Sequence, residues 1–139
     1  MAMGLSAKRK KTRLYADARP HATSGATDIA AAYIGRMTAA LDTFPITRKW
    51  PARHPDRLQL YSLATPNGVK ASMMLEEAGL PYEAHRVDFG SNDQTSPEFL
   101  SLNPNNKIPA ILDPNGPGGQ PLALFESGAI LIYLAEKTG

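Results

Sequence analysis

Leu58-Gln59-Leu60-Tyr61-Ser62-Leu63 alternates apolar and polar positions, the two-residue period of a strand, whereas residues 1 to 57 carry no sustained period of either kind. The regular pattern therefore starts at Leu58. Thr65-Pro66-Asn67-Gly68 then opens a helix: threonine suits the N-cap and proline the first helical position. Val69, Met73 and Met74, with Leu75 and Ala78 beside them, predict a broad apolar face, and Gly79-Leu80-Pro81 ends the helix. Tyr82 to Val87 reads as a second strand, and Gly90 to Gln94 as loop. A short helix follows from Ser96-Pro97-Glu98-Phe99, with Thr95 and Glu98 at capping-box spacing, and Asn103-Pro104 stops it. Ile108 to Asp113 reads as a third strand, 114 to 119 as a turn dense in proline and glycine, and Leu122 to Phe125 as a fourth strand in a hairpin with the third. Ser127 to Lys137 is the last helix, with Ile130, Tyr133 and Leu134 at core spacing.

The predicted order is β-α-β-α-β-β-α. Its first half is a βαβ unit, which requires a parallel pair and a right-handed crossover. Its second half is a hairpin and a helix. The expected fold is α/β, a mixed four-stranded sheet with helices on its faces. Residues 1–57 are expected to form a basic, mostly irregular N-terminal extension, and 58–139 the folded domain. Within the extension, Phe44, Ile46 and Trp50 are apolar enough to lie back on the domain, Trp50 as a packing anchor.

Charge sharpens that division. The formal net charge is +2 over 139 residues. Residues 1 to 57 hold 11 Lys or Arg against 4 Asp or Glu, and residues 58 to 139 hold 4 against 9, so a +7 leader precedes a −5 domain. A mildly acidic domain is not the footprint of nucleic-acid binding, and the run Lys8-Arg9-Lys10-Lys11-Thr12-Arg13 reads as solvated leader. The leader also has the basic, acid-poor character of an organelle transit peptide, an alternative to a solvated tail. The longest apolar run, Ala129 to Ala135, is far short of the ~20 residues of a membrane span, so no membrane association is expected.

Cysteine is absent, which excludes disulfides, thiolate metal sites and a cysteine nucleophile in this chain. His21, His54 and His85 show no ligand spacing, and no metal site is expected. Any sulfur chemistry must use a ligand's sulfur. Two stretches offer a place for one. Ile108-Pro109 stands where a loop turns into a strand; a cis bond there turns the Ile108 N–H and C=O outward toward an extended peptide. Glu126-Ser127 stands where a strand becomes a helix, and offers a carboxylate, a hydroxyl and free backbone N–H groups. A small peptide-like zwitterion fits between them.

The element order, with the stretches Leu-Tyr-Ser-Leu-Ala-Thr-Pro-Asn-Gly (60 to 68), Leu-Glu-Glu-Ala-Gly-Leu-Pro-Tyr (75 to 82), Ser-Pro-Glu-Phe-Leu (96 to 100), Asn-Pro-Asn-Asn-Lys-Ile-Pro-Ala-Ile (103 to 111) and 124 to 139, resembles the thioredoxin-like N-terminal domain of the glutathione transferase family, most closely its Nu class. The resemblance covers 58 to 139, and more loosely 44 to 57. Family members begin near Phe44, so Met37 is an alternative start, with 1 to 36 upstream of the product. They also continue past the equivalent of Gly139 into a helical second domain.

The resemblance implies a glutathione-binding domain with glutathione as co-substrate and no bound cofactor. It implies glutathione-dependent disulfide reduction or transfer to an electrophile, a homodimer in full-length form and a cytoplasmic location. The alternative is a non-catalytic glutathione-binding or regulatory module, or an inactive fragment. Thr65 and Asn67 are then the catalytic candidates, donors to the glutathione sulfur. Ile108 pairs with the cysteinyl backbone, Glu126 and Ser127 hold the γ-glutamyl end, and Gln94 is a further contact. Lys107 suits the glycyl carboxylate. Each has a plainer reading: capping for Thr65 and Ser127, strand shaping for Ile108-Pro109, and solvation for Gln94 and Lys107. Tyr61 stands too early in its strand to take part.

Overall fold

The computed structural model describes residues 24–139; the Lys8 to Arg13 run and His21 lie outside them. Helix α1 (Ser24–Leu41) and the short α2 (Ile46–Lys49) precede β1 (Leu58–Ser62). Then come α3 (Pro66–Ala78), β2 (Tyr82–Arg86), a 3-10 turn (Asp93–Thr95), α4 (Pro97–Leu102), β3 (Ala110–Asp113), a second 3-10 turn (Pro117–Gly119), β4 (Leu122–Phe125) and α5 (Ser127–Thr138).

The strands form one mixed sheet in the order β2-β1-β3-β4. β1 and β2 are parallel, with Leu58 opposite Tyr82 and Ser62 opposite Arg86. β3 is antiparallel to β1, with Tyr61 opposite Ala110, and β4 is antiparallel to β3, with Ala110 opposite Phe125. The end of β1, the start of β3 and the end of β4 therefore meet at one end of the sheet. Helices α3 and α5 both begin there.

Side chains alternate across a strand, so each face receives its own core. Leu58, Leu60 and Ile111 pack with Ala71 and Leu75 of α3 and Ile130 and Leu134 of α5. On the other face, Tyr61, Ala110 and Leu112 pack with Phe99 and Leu102 of α4, and with Leu41 and Ile46 from the extension. Both faces are covered, which is why Ala110-Ile111-Leu112 is a continuous apolar run rather than an alternating one.

Four sequence expectations change. Among its described residues the extension contains α1 and α2, where no regular element was expected, and Met37, Leu41 and Ile46 are buried. Its apolar residues were too sparse to give a period because α1 packs only through its C-terminal end. The buried face of α3 is Gly68, Ala71 and Leu75, spaced at helical intervals, while Met73 points away and is 63% exposed. The cap of α4 is Ser96, whose Oγ accepts from the Phe99 N–H, and not Thr95, which closes the preceding 3-10 turn with its Oγ1 on the Asn92 carbonyl. β3 starts at Ala110, two residues later than Ile108, since Ile108 and Pro109 belong to the loop. Trp50 anchors as expected, edge-on to Tyr61 and Phe99 with ring centroids at 5.8 and 6.4 Å.

β2 is an edge strand, and unpaired edges invite wrong pairing. Here residues 50 to 57 lie along it. Trp50 Nε1 donates to the Arg86 carbonyl at 3.1 Å, and the Arg53 and His54 N–H groups donate to the Glu83 carboxylate at 3.0 and 2.8 Å. Among the described residues no helix is long and apolar enough to cross a membrane, and no group of three or more metal-ligating side chains forms.

Candidate functional site

A cleft of about 400 Å³ opens at the sheet end where α3 begins. Thr65, Asn67, Gln94, Lys107 and Ile108 line it, with Phe89 and Asn106. Five residues singled out from the sequence thus come together. Glu126 and Ser127 do not line it; they follow Phe125, which pairs with Ala110, so they stand at the same sheet end on the next strand.

Thr65 is the N-cap of α3: its Oγ1 accepts from the Gly68 N–H at 3.1 Å. A hydroxyl has one donor and two acceptor positions, so capping leaves the Thr65 O–H free to donate. The two roles left open in the sequence are compatible. Asn67 is exposed on the first turn, and its Oδ1 accepts from Lys70 Nζ at 2.9 Å. An ammonium only donates, which fixes the amide orientation and leaves the Asn67 NH₂ as the outward donor. Both donors sit where the helix dipole and unpaired N–H groups favour negative charge.

Gly68 makes this corner possible. A Cβ there would run into the Leu63 carbonyl oxygen and stand 2.6 Å from Ser62 Oγ and 3.2 Å from Ile108 Cδ1. Only glycine lets α3 approach β1 and the Ile108 loop this closely.

The Ile108–Pro109 peptide bond is cis. The loop before it is held by Asn103, which is 1% exposed. Asn103 Nδ2 donates to the Lys107 carbonyl at 2.6 Å, and its Oδ1 accepts from the Asn105 N–H at 3.0 Å. Asn106 adopts φ 50°, a left-handed conformation that asparagine tolerates better than most residues. Among the described residues, no turn, loop or cap bond uses the Ile108 N–H or carbonyl.

Gln94 enters from the loop after β2. Its Oε1 is buried without a hydrogen-bond partner. A buried unpaired amide oxygen is costly, so its position at the cleft wall marks a place for a donor. Lys107 is the one charged side chain among the lining residues. With the α3 N-terminus, it makes the cleft receptive to anionic groups.

Glu126 is the N-cap of α5 at φ 73° and ψ 116°, yet its side chain makes no capping bond. The N-cap position expected of Ser127 thus falls to Glu126, and Ser127 is the first residue of the helix. Non-glycine residues at positive φ are uncommon, and such strain concentrates at functional sites. Tyr61 is fully buried, stacked on His85 at 4.8 Å, with its hydroxyl raised far above the usual tyrosine range by desolvation and by the Glu83 charge; it lies outside the cleft lining.

Sequence reasoning missed Phe89, Asn103 and Asn106. A run of asparagines flanked by proline signals turn geometry, and left-handed Asn106 was legible to that extent. Nothing local marked Phe89, which reaches the cleft only through the path of its loop.

The family described as glutathione S-transferase, N-terminal domain, matches residues 56–136. The chain is 59% identical over 83 residues to the disulfide-bond oxidoreductase YfcG of Escherichia coli (strain K12), an alignment covering 59% of this chain and 39% of that protein. It is 50% identical over 93 residues to YghU of the same organism, covering 63% of this chain and 31% of the relative. The chain thus spans well under half the length of these curated relatives. Among solved structures, a glutathione transferase from Pseudomonas putida, with one glutathione disulfide bound per subunit, is 79% identical with a TM-score of 0.71 over 71% of this chain and 43% of its own. A glutathione transferase from Burkholderia graminis, with two glutathione molecules bound per subunit, is 75% identical with a TM-score of 0.72 over 73% and 42%.

Proposed function

Since the chain belongs to the glutathione S-transferase family through its N-terminal domain, we propose that residues 58–139 are a glutathione-binding unit serving glutathione-dependent disulfide reduction. The observation that carries this reading is the convergence of Thr65, Asn67, Gln94 and Ile108 on one cleft at the start of α3. A relative that shares 59% of aligned residues is a disulfide-bond oxidoreductase, and two structural relatives bind glutathione or its disulfide, which supports the choice of ligand.

In the proposed arrangement the glutathione sulfur sits near the Thr65 hydroxyl and the Asn67 amide. A free thiol ionises at a pKa of roughly 8.5, and the thiolate is the nucleophile. Two donors and the α3 N-terminus favour the thiolate. The backbone of Ile108 pairs with the cysteinyl portion, Gln94 Oε1 accepts a ligand N–H, and Lys107 meets the glycyl carboxylate. Glu126 and Ser127 hold the γ-glutamyl ammonium and carboxylate. The thiolate attacks one sulfur of a small disulfide, forming a mixed disulfide and releasing the other sulfur as a thiolate that takes up a proton. A second glutathione thiolate then attacks the glutathione sulfur of the mixed disulfide. The products are glutathione disulfide and the second thiol. This chain contributes no sulfur, in keeping with its lack of cysteine. Met73 and Ile132, each 63% exposed, give α3 and α5 apolar surface against which the helical second domain implied by the resemblance would pack. Homodimer formation and a cytoplasmic setting belong to the same proposal.

Titration calorimetry with reduced glutathione, followed by an assay of hydroxyethyl disulfide reduction, tests the reading. Heat of binding with turnover is the expected result. Binding with conjugation of an aromatic halide in place of disulfide reduction would move the second substrate to an electrophile. Binding without either activity would make the unit a binding module, and no heat would end the proposal.

A further inference from the structure

Two residues that precede the family-matched segment hold both ends of the loop that brings Phe89 and Gln94 to the cleft. At its start, Trp50 Nε1 donates to the Arg86 carbonyl at 3.1 Å, where β2 ends. At its far end, Lys49 Nζ pairs with Asp93 Oδ1 at 2.7 Å, and the other oxygen, Oδ2, accepts from the Asp88 N–H at 2.8 Å. The Asp93 N–H returns a bond to the Asp88 carbonyl at 3.1 Å. One carboxylate therefore closes the base of the loop and fastens it to α2. Gln94 follows Asp93 directly in the chain.

The fastening is itself anchored. Ile46 of α2 is fully buried in the core against α4, and the Trp50 ring lies edge-on to Phe99 and Tyr61. The Asp93 side chain is 14% exposed and the Lys49 side chain 32%, so the pair is more desolvated than an ordinary surface ion pair. Gln94 has no hydrogen bond of its own at Oε1 to hold its side chain. Its placement in the cleft depends on the backbone of the loop.

We propose that Lys49 and Trp50 are positioning residues for the cleft: by clamping the loop from Val87 to Thr95 at Arg86 and Asp93, they set where Gln94 and Phe89 meet the ligand. The segment ahead of the family domain is thereby part of the site. The inference rests on the glutathione reading above for the identity of the ligand, but not for the clamp.

The test compares Lys49→Met, Lys49→Arg, Gln94→Ala and the Lys49→Met/Gln94→Ala pair in the 139-residue chain, by amide hydrogen exchange over residues 88–95 and by calorimetry with reduced glutathione. Lys49→Met is expected to speed exchange in this loop and weaken glutathione by about 5-fold, and Lys49→Arg to restore both. Gln94→Ala is expected to weaken glutathione about 5-fold in the parent and less than about 2-fold in Lys49→Met, because the two act through one placement. Full additivity of the two substitutions, or unchanged exchange in Lys49→Met, overturns the clamp. Should Lys49→Met not fold, Trp50→Phe removes the indole N–H while leaving an aromatic ring against Phe99 and Tyr61, and is read the same way. No glutathione uptake by the unmodified chain sinks the functional reading, while the exchange comparison still upholds or overturns the clamp.

Discussion

The two ends of the sheet treat their polar groups in opposite ways. At the end remote from the cleft, the buried Asp113 carboxylate accepts from the Tyr133 hydroxyl at 2.6 Å, Lys137 Nζ at 3.0 Å and the Asn115 N–H at 2.9 Å. Lys137 also donates to the Asn115 carbonyl at 2.6 Å. Each partner is used, and the cluster locks α5 to the β3–β4 turn. The Tyr133 hydroxyl is pushed well above the usual tyrosine range by burial and by the carboxylate it bonds. At the cleft end, Gln94 Oε1 is buried and unpaired, and the Glu126 carboxylate makes no capping bond. A saturated polar cluster contributes rigidity, whereas an unsaturated one at the mouth of a cleft retains bonding capacity for a ligand.

The contrast can be broken most forcefully at Gly68. Gly68→Ala places a methyl group against the Leu63 carbonyl and Ser62 Oγ, which are backbone and near-backbone atoms with little room to yield. Overpacking of this kind costs about 3 kcal/mol. Urea denaturation is expected to show that loss, and any folded fraction is expected to bind glutathione poorly, since α3 must shift. A stable, fully binding variant would mean that the corner is far softer than its contacts indicate.

Asp113→Ala is the matching cut at the saturated end. It strips one acceptor from three donors, with an expected loss of about 2 kcal/mol on denaturation. Glutathione affinity in the folded protein is expected to stay at the parent value. A substantial loss of affinity would show that the two ends are coupled, and the division drawn here would fail.

Much of this was legible in the sequence because the signals were local. Thr65-Pro66 and Gly79 carry their helix boundaries in their own backbone chemistry, and the structure has Thr65 as the cap and Gly79 at φ 64°. The hairpin of β3 and β4 follows from apolar runs flanking a turn. The cleft-lining set of Thr65, Asn67, Gln94, Lys107 and Ile108 was reached through the family resemblance; of the five, Thr65 as a helix cap and Ile108 before its proline also carry a local signal. What escaped depends on distant pairs. Lys49 and Asp93 are 44 positions apart, and neither has a local pattern that points to the other. Helix α1 escaped because its buried positions, Met37 and Leu41, are too few to set an apolar stripe.

Asn67→Ala sharpens the comparison at the level of chemistry. The side chain is exposed and its Lys70 contact is a surface one, so stability is expected to change by less than about 0.5 kcal/mol. Turnover in glutathione-dependent disulfide reduction is expected to fall about 10-fold, equivalent to ~1.4 kcal/mol of lost thiolate stabilisation. Steady-state kinetics with hydroxyethyl disulfide measure it. Equal turnover would remove Asn67 from the reaction and leave Thr65 as the donor.

The smallest expected effect concerns acid, and it separates the extension's clamp from both sheet ends. Burial lowers the His85 pKa, with a raising contribution from Glu83 and a lowering one from Arg53. Gln59 Nε2 is committed to the His54 and Arg57 carbonyls, so its Oε1 faces His85 Nε2 at 2.7 Å as an acceptor and fixes the neutral tautomer as the Nε2–H donor. A histidine with a depressed folded pKa gives stability that is complete above about pH 6.5, its unfolded value, and is lost as pH falls toward the folded value. For Glu83, burial pushes upward, but the N–H groups of His54 and Arg53 outweigh it and hold the carboxyl below its usual range. Asp93 is lowered chiefly by its hydrogen bond from Lys49. These carboxylates stabilise above about pH 4, and that contribution is lost as pH falls through their folded values. All three groups therefore act in the same direction, and all three lie on the segment that Lys49 to Arg57 covers. Trp50 is the single tryptophan, and its emission reports on this segment alone. Its emission is expected to shift in two stages on acidification, one beginning below about pH 6.5 and one below about pH 4, before far-UV circular dichroism changes. Glu83→Gln is expected to diminish the second stage and to extend the first to lower pH, because the Glu83 charge raises the His85 pKa. An emission spectrum constant from pH 7.5 to 5 would show that His85 does not couple to the segment around Trp50.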